Sequence, residues 1–264
     1  MAWDQAFGQV RPYVVRIETM NGSGTGFLFG YNKAHSVAAI ATAAHVIDTA
    51  TEWKQPIKIC HWVSKNTLYL EEANRVAWLD RNHDAATILI PVGRLELPSE
   101  VLPLLAPEKV KKIGVEVGWV GFPALAPQKL CFFSGAVSAH IGGTDTYLID
   151  GVAINGVSGG PVFCEQKDSS PELIGVVSAY MANRRMGESL PGLLQAQDLT
   201  AFHEHIQKIR DFDEAKEKEQ KAQKKIEQAN PLEPPSTEPN DEANVPLARQ
   251  VQRACHDTLP WLVN

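Results

Sequence analysis

From about residue 12 to residue 195 the chain reads as short apolar runs broken by turn residues. "PYVVRIET", "GTGFLFG", "SVAAIATA", "PIKICHW", "AATILI", "VEVGWVGF", "KLCFFSGAVSA", "PVFCE" and "LIGVVSAY" follow one another, separated by Gly, Pro, Asn and Asp. Runs of this length, rich in Val, Ile, Phe and Tyr, are the pattern of a β-sandwich or barrel. No long helical pattern intervenes, which argues against a parallel sheet built from βαβ units. With 264 residues, 44% of them hydrophobic, the chain can bury one large core or two modest ones. "LPSEVLPLLAPEK" carries three prolines and is expected to join two β halves. The expectation is an all-β fold of two six-stranded antiparallel barrels, over residues 1–98 and 99–197.

The pattern then changes. In "DLTAFHEHIQKIRDF" the residues Leu199, Phe202, Ile206 and Ile209 recur at helical spacing, so one face can dock on the preceding barrel. Asp198 is positioned to cap this helix with its carboxylate. The continuation "DEAKEKEQKAQKKIEQ" is polar nearly all round and reads as a solvated extension, giving a helical region over 198–230. Residues 231–264 begin as a Pro- and acid-rich linker that cannot bury a core. They end in "TLPWLVN", an apolar segment on a flexible tether that suits docking in cis or in trans.

The net charge of −6 provides no basic footprint, so neither nucleic acid nor an acidic membrane surface is an expected partner. No stretch approaches the roughly 18 apolar residues that would span a bilayer. The start of the chain lacks the pattern of a secretory signal, and a cytoplasmic location is expected. Cys60, Cys131, Cys164 and Cys255 form no C-x-x-C pair; three of them lie in apolar strand-like runs and read as small hydrophobes. No H-E-x-x-H occurs, so a zinc peptidase is unsupported, and no metal or cofactor is expected.

One stretch carries chemistry. In "INGVSGGPVF" a serine, Ser158, sits among three glycines. A nucleophile of acyl transfer must be exposed at a tight turn, beside backbone N–H groups aimed at the developing oxyanion. Gly156 and Gly159 tolerate the backbone angles such a turn needs. The N–H groups of Gly156 and Ser158 are placed to converge on one point. The hydroxyl also needs a base. "ATAAHVID" puts His45 where an apolar strand ends beside a short helical turn. "LDRNHDAATILI" puts Asp84 at the start of a buried-looking strand, where a carboxylate can fix an imidazole tautomer.

"TAAHV", "HDAATILI" and "NGVSGGPV" occur in the order His, Asp, Ser, and together they resemble the trypsin/chymotrypsin-fold serine peptidases, most of all the HtrA/Deg-type bacterial branch. "GSGTGFLF", the Asp80–Asp84 spacing, "GFP" with "SGAVSA", "LIGVVSAY" and "PGLLQA" match the same branch over roughly residues 10 to 210; no PDZ domain is recognised. The resemblance implies chymotrypsin-like barrels with Ser158 as nucleophile, His45 as general base and Asp84 as its orienter. It implies an oxyanion hole from the N–H groups of Gly156 and Ser158, and a protein or peptide substrate. Two positions depart from the family pattern. Val157 stands where zymogen-type members carry Asp and HtrA-like members usually Asn. Val152 stands where specificity for Lys or Arg requires Asp. A substrate pocket of Val152, Ser178, Ala179 and Tyr180 is expected to prefer small or medium apolar P1 residues. His83 is expected on a strand facing solvent, and His35 and His61 show no recognisable partners. The alternative is a catalytically weak peptidase-fold module that binds extended peptides.

Overall fold

The computed structural model describes residues 3–152, 154–166, 170–185 and 188–229. The expected linker and apolar segment at 231–264, with Cys255, lie outside them.

Seven strands form the first sheet: β1 (Val14–Thr19), β2 (Gly22–Tyr31), β3 (Val37–Ala43), β4 (Ile57–His61), β5 (Thr67–Leu70), β6 (Val76–Asp80) and β7 (Ala85–Pro91). Their order is β5-β4-β1-β2-β3-β7-β6, all antiparallel. The second unit is a closed barrel, β10-β13-β12-β11-β8-β9. Its strands are β8 (Glu116–Gly121), β9 (Cys131–Ile141), β10 (Thr146–Asp150), β11 (Pro161–Glu165), β12 (Pro171–Arg185) and β13 (Glu188–Asp198). The chymotrypsin-like all-β fold is therefore present, with one difference from the sequence expectation of two six-stranded barrels. The first unit has seven strands and stays open between β5 and β6. These edge strands are only four and five residues long. The core beside them is filled in part by a helix, α2 (Ala44–Glu52), through Ala44, Ile47 and Ala50.

Alternation along the strands sets the cores. In β4 and β5 the inward residues Ile57, Ile59, Leu68 and Leu70 are buried while their neighbours are not. β2, β3 and β7 sit in the middle of the first sheet and are buried almost throughout. A second cluster spans both units and includes Phe29, Trp119, Phe163 and Phe202. An N-terminal helix, α1 (Trp3–Val10), that the strand pattern does not announce lays Trp3 against Phe132 and Phe163. The proline-rich connection is stitched to the barrel by two backbone bonds between Leu173 and the Pro103–Leu105 segment, each 2.8 Å.

The last described helix, α3 (Thr200–Ala229), begins where Asp198 accepts the Thr200 N–H at 2.9 Å. Its expected docking on the preceding barrel is only part of its packing: α3 also straps the first sheet. Phe202 meets Phe29 edge-on, His205 bonds Thr87 Oγ1 at 2.7 Å, and Phe212 stacks on Trp78. The Asp213 carboxylate accepts from Asn32 Nδ2 and the Lys33 N–H, and Lys33 reaches Glu217 at 2.8 Å. The aromatic residues of β2 and β6 provide the surface that draws the helix across.

Candidate active site

Strand register brings His45 and Asp84 together. β3 and β7 pair so that Ala43 lies opposite Ala85. The residues just past this pair, Ala44 and His45 on one strand and Asp84 on the other, therefore leave the sheet at the same edge. The Ala44 N–H bonds the Asp84 carbonyl at 3.0 Å, and His45 enters the first turn of α2. Asp84 itself has φ of +45°, a left-handed conformation that Asp tolerates better than most residues. It sits in the turn before β7 and not on the strand.

One carboxylate holds the histidine twice. His45 Nδ1 lies 2.8 Å from Asp84 Oδ2 and 3.0 Å from Oδ1, and the His45 backbone N–H donates to Oδ1 at 3.0 Å. Ser178 on β12 adds a third donor, its Oγ reaching Oδ2 at 2.5 Å. Burial pushes the Asp84 carboxyl up, but the bonds from His45 and Ser178 outweigh it and hold the group below its ordinary value. The hydrogen bond to Asp84 raises the His45 pKa, against the opposing effect of partial burial.

Ser158 comes from the second unit, in the turn before β11. Its Oγ donates to the Ser178 carbonyl at 3.3 Å, and among the described residues no hydrogen bond joins it to His45. Ser178 thus touches both partners, its side chain on Asp84 and its carbonyl on Ser158. The sequence pattern marked Ser178 only as an expected pocket wall; a hydroxyl on β12 gave no hint of its hold on Asp84.

The loop around Ser158 needs its glycines. Gly156 and Gly159 have φ of +90° and +84°. A Cβ on Gly156 would sit 2.3 Å from the Phe122 carbonyl oxygen, and one on Gly159 would sit 2.0 Å from that of Thr25. The N–H groups of Val157, Gly159 and Gly160 are taken by backbone carbonyls, whereas those of Gly156 and Ser158 find no acceptor among the described residues. Val157 is fully buried and packs where Gly121 leaves room for it.

The expected pocket residues lie on one strand and one loop: Ser178, Ala179 and Tyr180 on β12, and Val152 just after β10. Val152 is 59% exposed, Ala179 is exposed and Ser178 is half-buried. The Tyr180 hydroxyl accepts the N–H of Gly192 on the neighbouring strand β13, so its ring lies over β13.

Three other histidines have partners that the sequence did not reveal. His83 lies in the turn before Asp84, not on a strand, and is half-buried. It bonds Asp80 at 2.7 Å and faces Asp145 of the second unit at 3.8 Å. His61 is buried between the Pro12 carbonyl and Ser64 Oγ, and His35 stacks on Tyr31. His83 was expected to face solvent, and Asp80 takes that place; His35 and His61 find partners that the sequence pattern did not show.

The sequence profile of the trypsin-like peptidase domain matches residues 24–176, more than half of the chain and all three of His45, Asp84 and Ser158. The chain belongs to this family. Solved structures show the same fold. A serine endoprotease from Yersinia pestis is 21% identical with a TM-score of 0.58, over 79% of this chain and 66% of that one. Deg5 is 20% identical with a TM-score of 0.56, over 76% and 90%. Rv3671c of Mycobacterium tuberculosis H37Rv, solved as an inactive mutant, is 18% identical with a TM-score of 0.52, over 77% and 89%. This trypsin-like peptidase domain therefore spans just under two thirds of the Yersinia chain. No curated protein matches it. Among its described residues no helix is long and apolar enough to cross a membrane.

Proposed function

We propose that this chain is a serine endopeptidase, in which Ser158 attacks the scissile carbonyl, His45 takes its proton and Asp84 orients the imidazole. The observation that carries the reading is the double hold of Asp84 on His45. With Nδ1–H donated to a carboxylate, Nε2 is left as the acceptor that can act as base, and the imidazolium formed by proton transfer is stabilised. A rotation of the Ser158 side chain away from the Ser178 carbonyl is needed before the proton can pass. Such bonds are often loose without substrate.

After attack, the oxyanion is received by the N–H groups of Gly156 and Ser158, which contribute about 3 kcal/mol to lowering the barrier. His45 then protonates the leaving amine, and water releases the acyl group by the same route in reverse. The two units, residues 1–98 and 99–197, supply opposite sides of the site. No carboxylate stands at Val152, so a P1 cation would be desolvated without a partner. Tyr180 narrows the approach, and together these favour small or medium apolar P1 residues.

The Ser158–Ser178 bond supports a second reading, a module that binds extended peptides by strand addition with little turnover. Treatment with a fluorophosphonate separates the two. A peptidase is modified on Ser158, and the adduct is lost in Ser158→Ala; a binder stays unmodified from about pH 6 to 9.

A further inference from the structure

Among the described residues no ion pair fixes the loop that carries Ser158, and Val157 within it is apolar and buried. Its anchor comes instead from the other unit. Thr25, on β2, is fully buried and makes four hydrogen bonds across the interface and within its own sheet. Its Oγ1 donates to the Gly156 carbonyl at 2.9 Å and accepts the Phe122 N–H at 3.1 Å. Its N–H donates to the Ser158 carbonyl at 2.8 Å, and its own carbonyl accepts from Thr42 Oγ1 at 2.7 Å.

Four consecutive carbonyls of the loop, from Asn155 to Ser158, are all engaged. Asn155 O accepts from Ala124 N–H at 2.7 Å and Val157 O from Gly160 N–H at 2.9 Å. Gly156 O and Ser158 O are both taken by Thr25. In a planar trans peptide the N–H points opposite to the carbonyl of the preceding residue. Binding the Asn155 and Val157 carbonyls on one side therefore turns the N–H groups of Gly156 and Ser158 to the other. The peptide between those two donors, Gly156–Val157, is the one the Thr25 hydroxyl holds.

We propose that Thr25 is a positioning residue: its side-chain hydroxyl fixes the Gly156–Val157 peptide and so keeps the two oxyanion donors of this chain aimed at one point without a charged anchor. The proposal rests on the peptidase reading above. Loss of the hydroxyl leaves the Phe122 N–H and Gly156 carbonyl unpaired in a buried place, and they regain partners only if the loop moves.

The test is the second-order rate of fluorophosphonate labelling at Ser158, followed against pH, with thermal melts in parallel. Thr25→Val is expected to fold and to label about 10- to 100-fold more slowly than the parent, with the pH midpoint unchanged because His45 and Asp84 are untouched. Thr25→Ser restores the hydroxyl and is expected to label within a few-fold of the parent. A folded Thr25→Val that labels at the parent rate overturns the proposal. So does a midpoint that moves, which would place the effect on His45, or a Thr25→Ser as slow as Thr25→Val. Should Thr25→Val not fold, Thr25→Ala lacks the hydroxyl without adding bulk and is judged by the same criteria. A parent that is never labelled overturns the peptidase reading and the clamp together; a labelled parent with an indifferent variant overturns the clamp alone.

Discussion

Asp84 binds both the ring and the backbone of His45, with Oδ2 at 2.8 Å from Nδ1 and Oδ1 at 3.0 Å from the main-chain N–H. The imidazole is thus fixed in tautomer by the carboxylate and in position by the first turn of its own helix. Asp84→Asn keeps the shape but can present an NH₂ to Nδ1, which favours the wrong tautomer. Peptide hydrolysis, or the labelling rate of Ser158, is expected to fall about 10⁴-fold in a variant whose melting temperature changes little.

The same contact sets the pH dependence. His45 must be neutral to accept the proton, and its pKa is raised, first by the hydrogen bond to Asp84. The rising limb of the rate profile is therefore expected to have its midpoint above the ordinary histidine value of about 6.5. The contact stabilises the folded protein most below that ordinary value, and this contribution is lost as pH rises through the raised pKa. A pH–rate profile on the parent checks the first point. A midpoint at or below about 6.5 contradicts the role given to Asp84.

His205 behaves in the opposite sense. It is 3% exposed on the face of α3 that meets the first sheet, and burial lowers its pKa to about 4. The unfolded chain takes up a proton near pH 6.5, whereas the folded chain resists until about pH 4. Stability is complete above the unfolded value and falls by about 3 kcal/mol as pH drops across that window. Urea titrations at pH 7 and pH 4.5 should show a smaller difference for His205→Gln than for the parent.

Tyr180 should set the size of the P1 side chain. Its hydroxyl is tied to the Gly192 N–H, which keeps the ring over β13. Tyr180→Gly is expected to extend cleavage to large aromatic P1 residues by about tenfold or more in kcat/KM, as read from a peptide library. An unchanged P1 profile would remove Tyr180 from the pocket.

Much of the geometry around His45, Asp84 and Ser158 was legible because tight turns and sheet edges leave loud local patterns. Glycines around Ser158 announce positive φ, and a strand running into Ala-Ala-His45 announces a sheet edge. What the sequence concealed was long-range partnering. Thr25 and Ser158 lie 133 positions apart, and nothing in "GSGTGFLF" says that the threonine will pair with the serine's carbonyl. Ser178 and Asp84 are hidden in the same way. The open first sheet was missed because its closure depends on the length of β5 and β6, and strand ends are weakly encoded. The path of α3 onto Trp78 and Phe29 depends on which aromatic faces the folded sheet leaves uncovered, a property of tertiary structure alone.

The most direct measurement is mass-spectrometric detection of cleavage in an unbiased peptide library, comparing the parent with Ser158→Ala. The account predicts a set of cleavages after small or medium apolar residues that vanishes in the variant. Cleavage that persists unchanged in Ser158→Ala, or a properly folded parent that cuts nothing across the library, would contradict it.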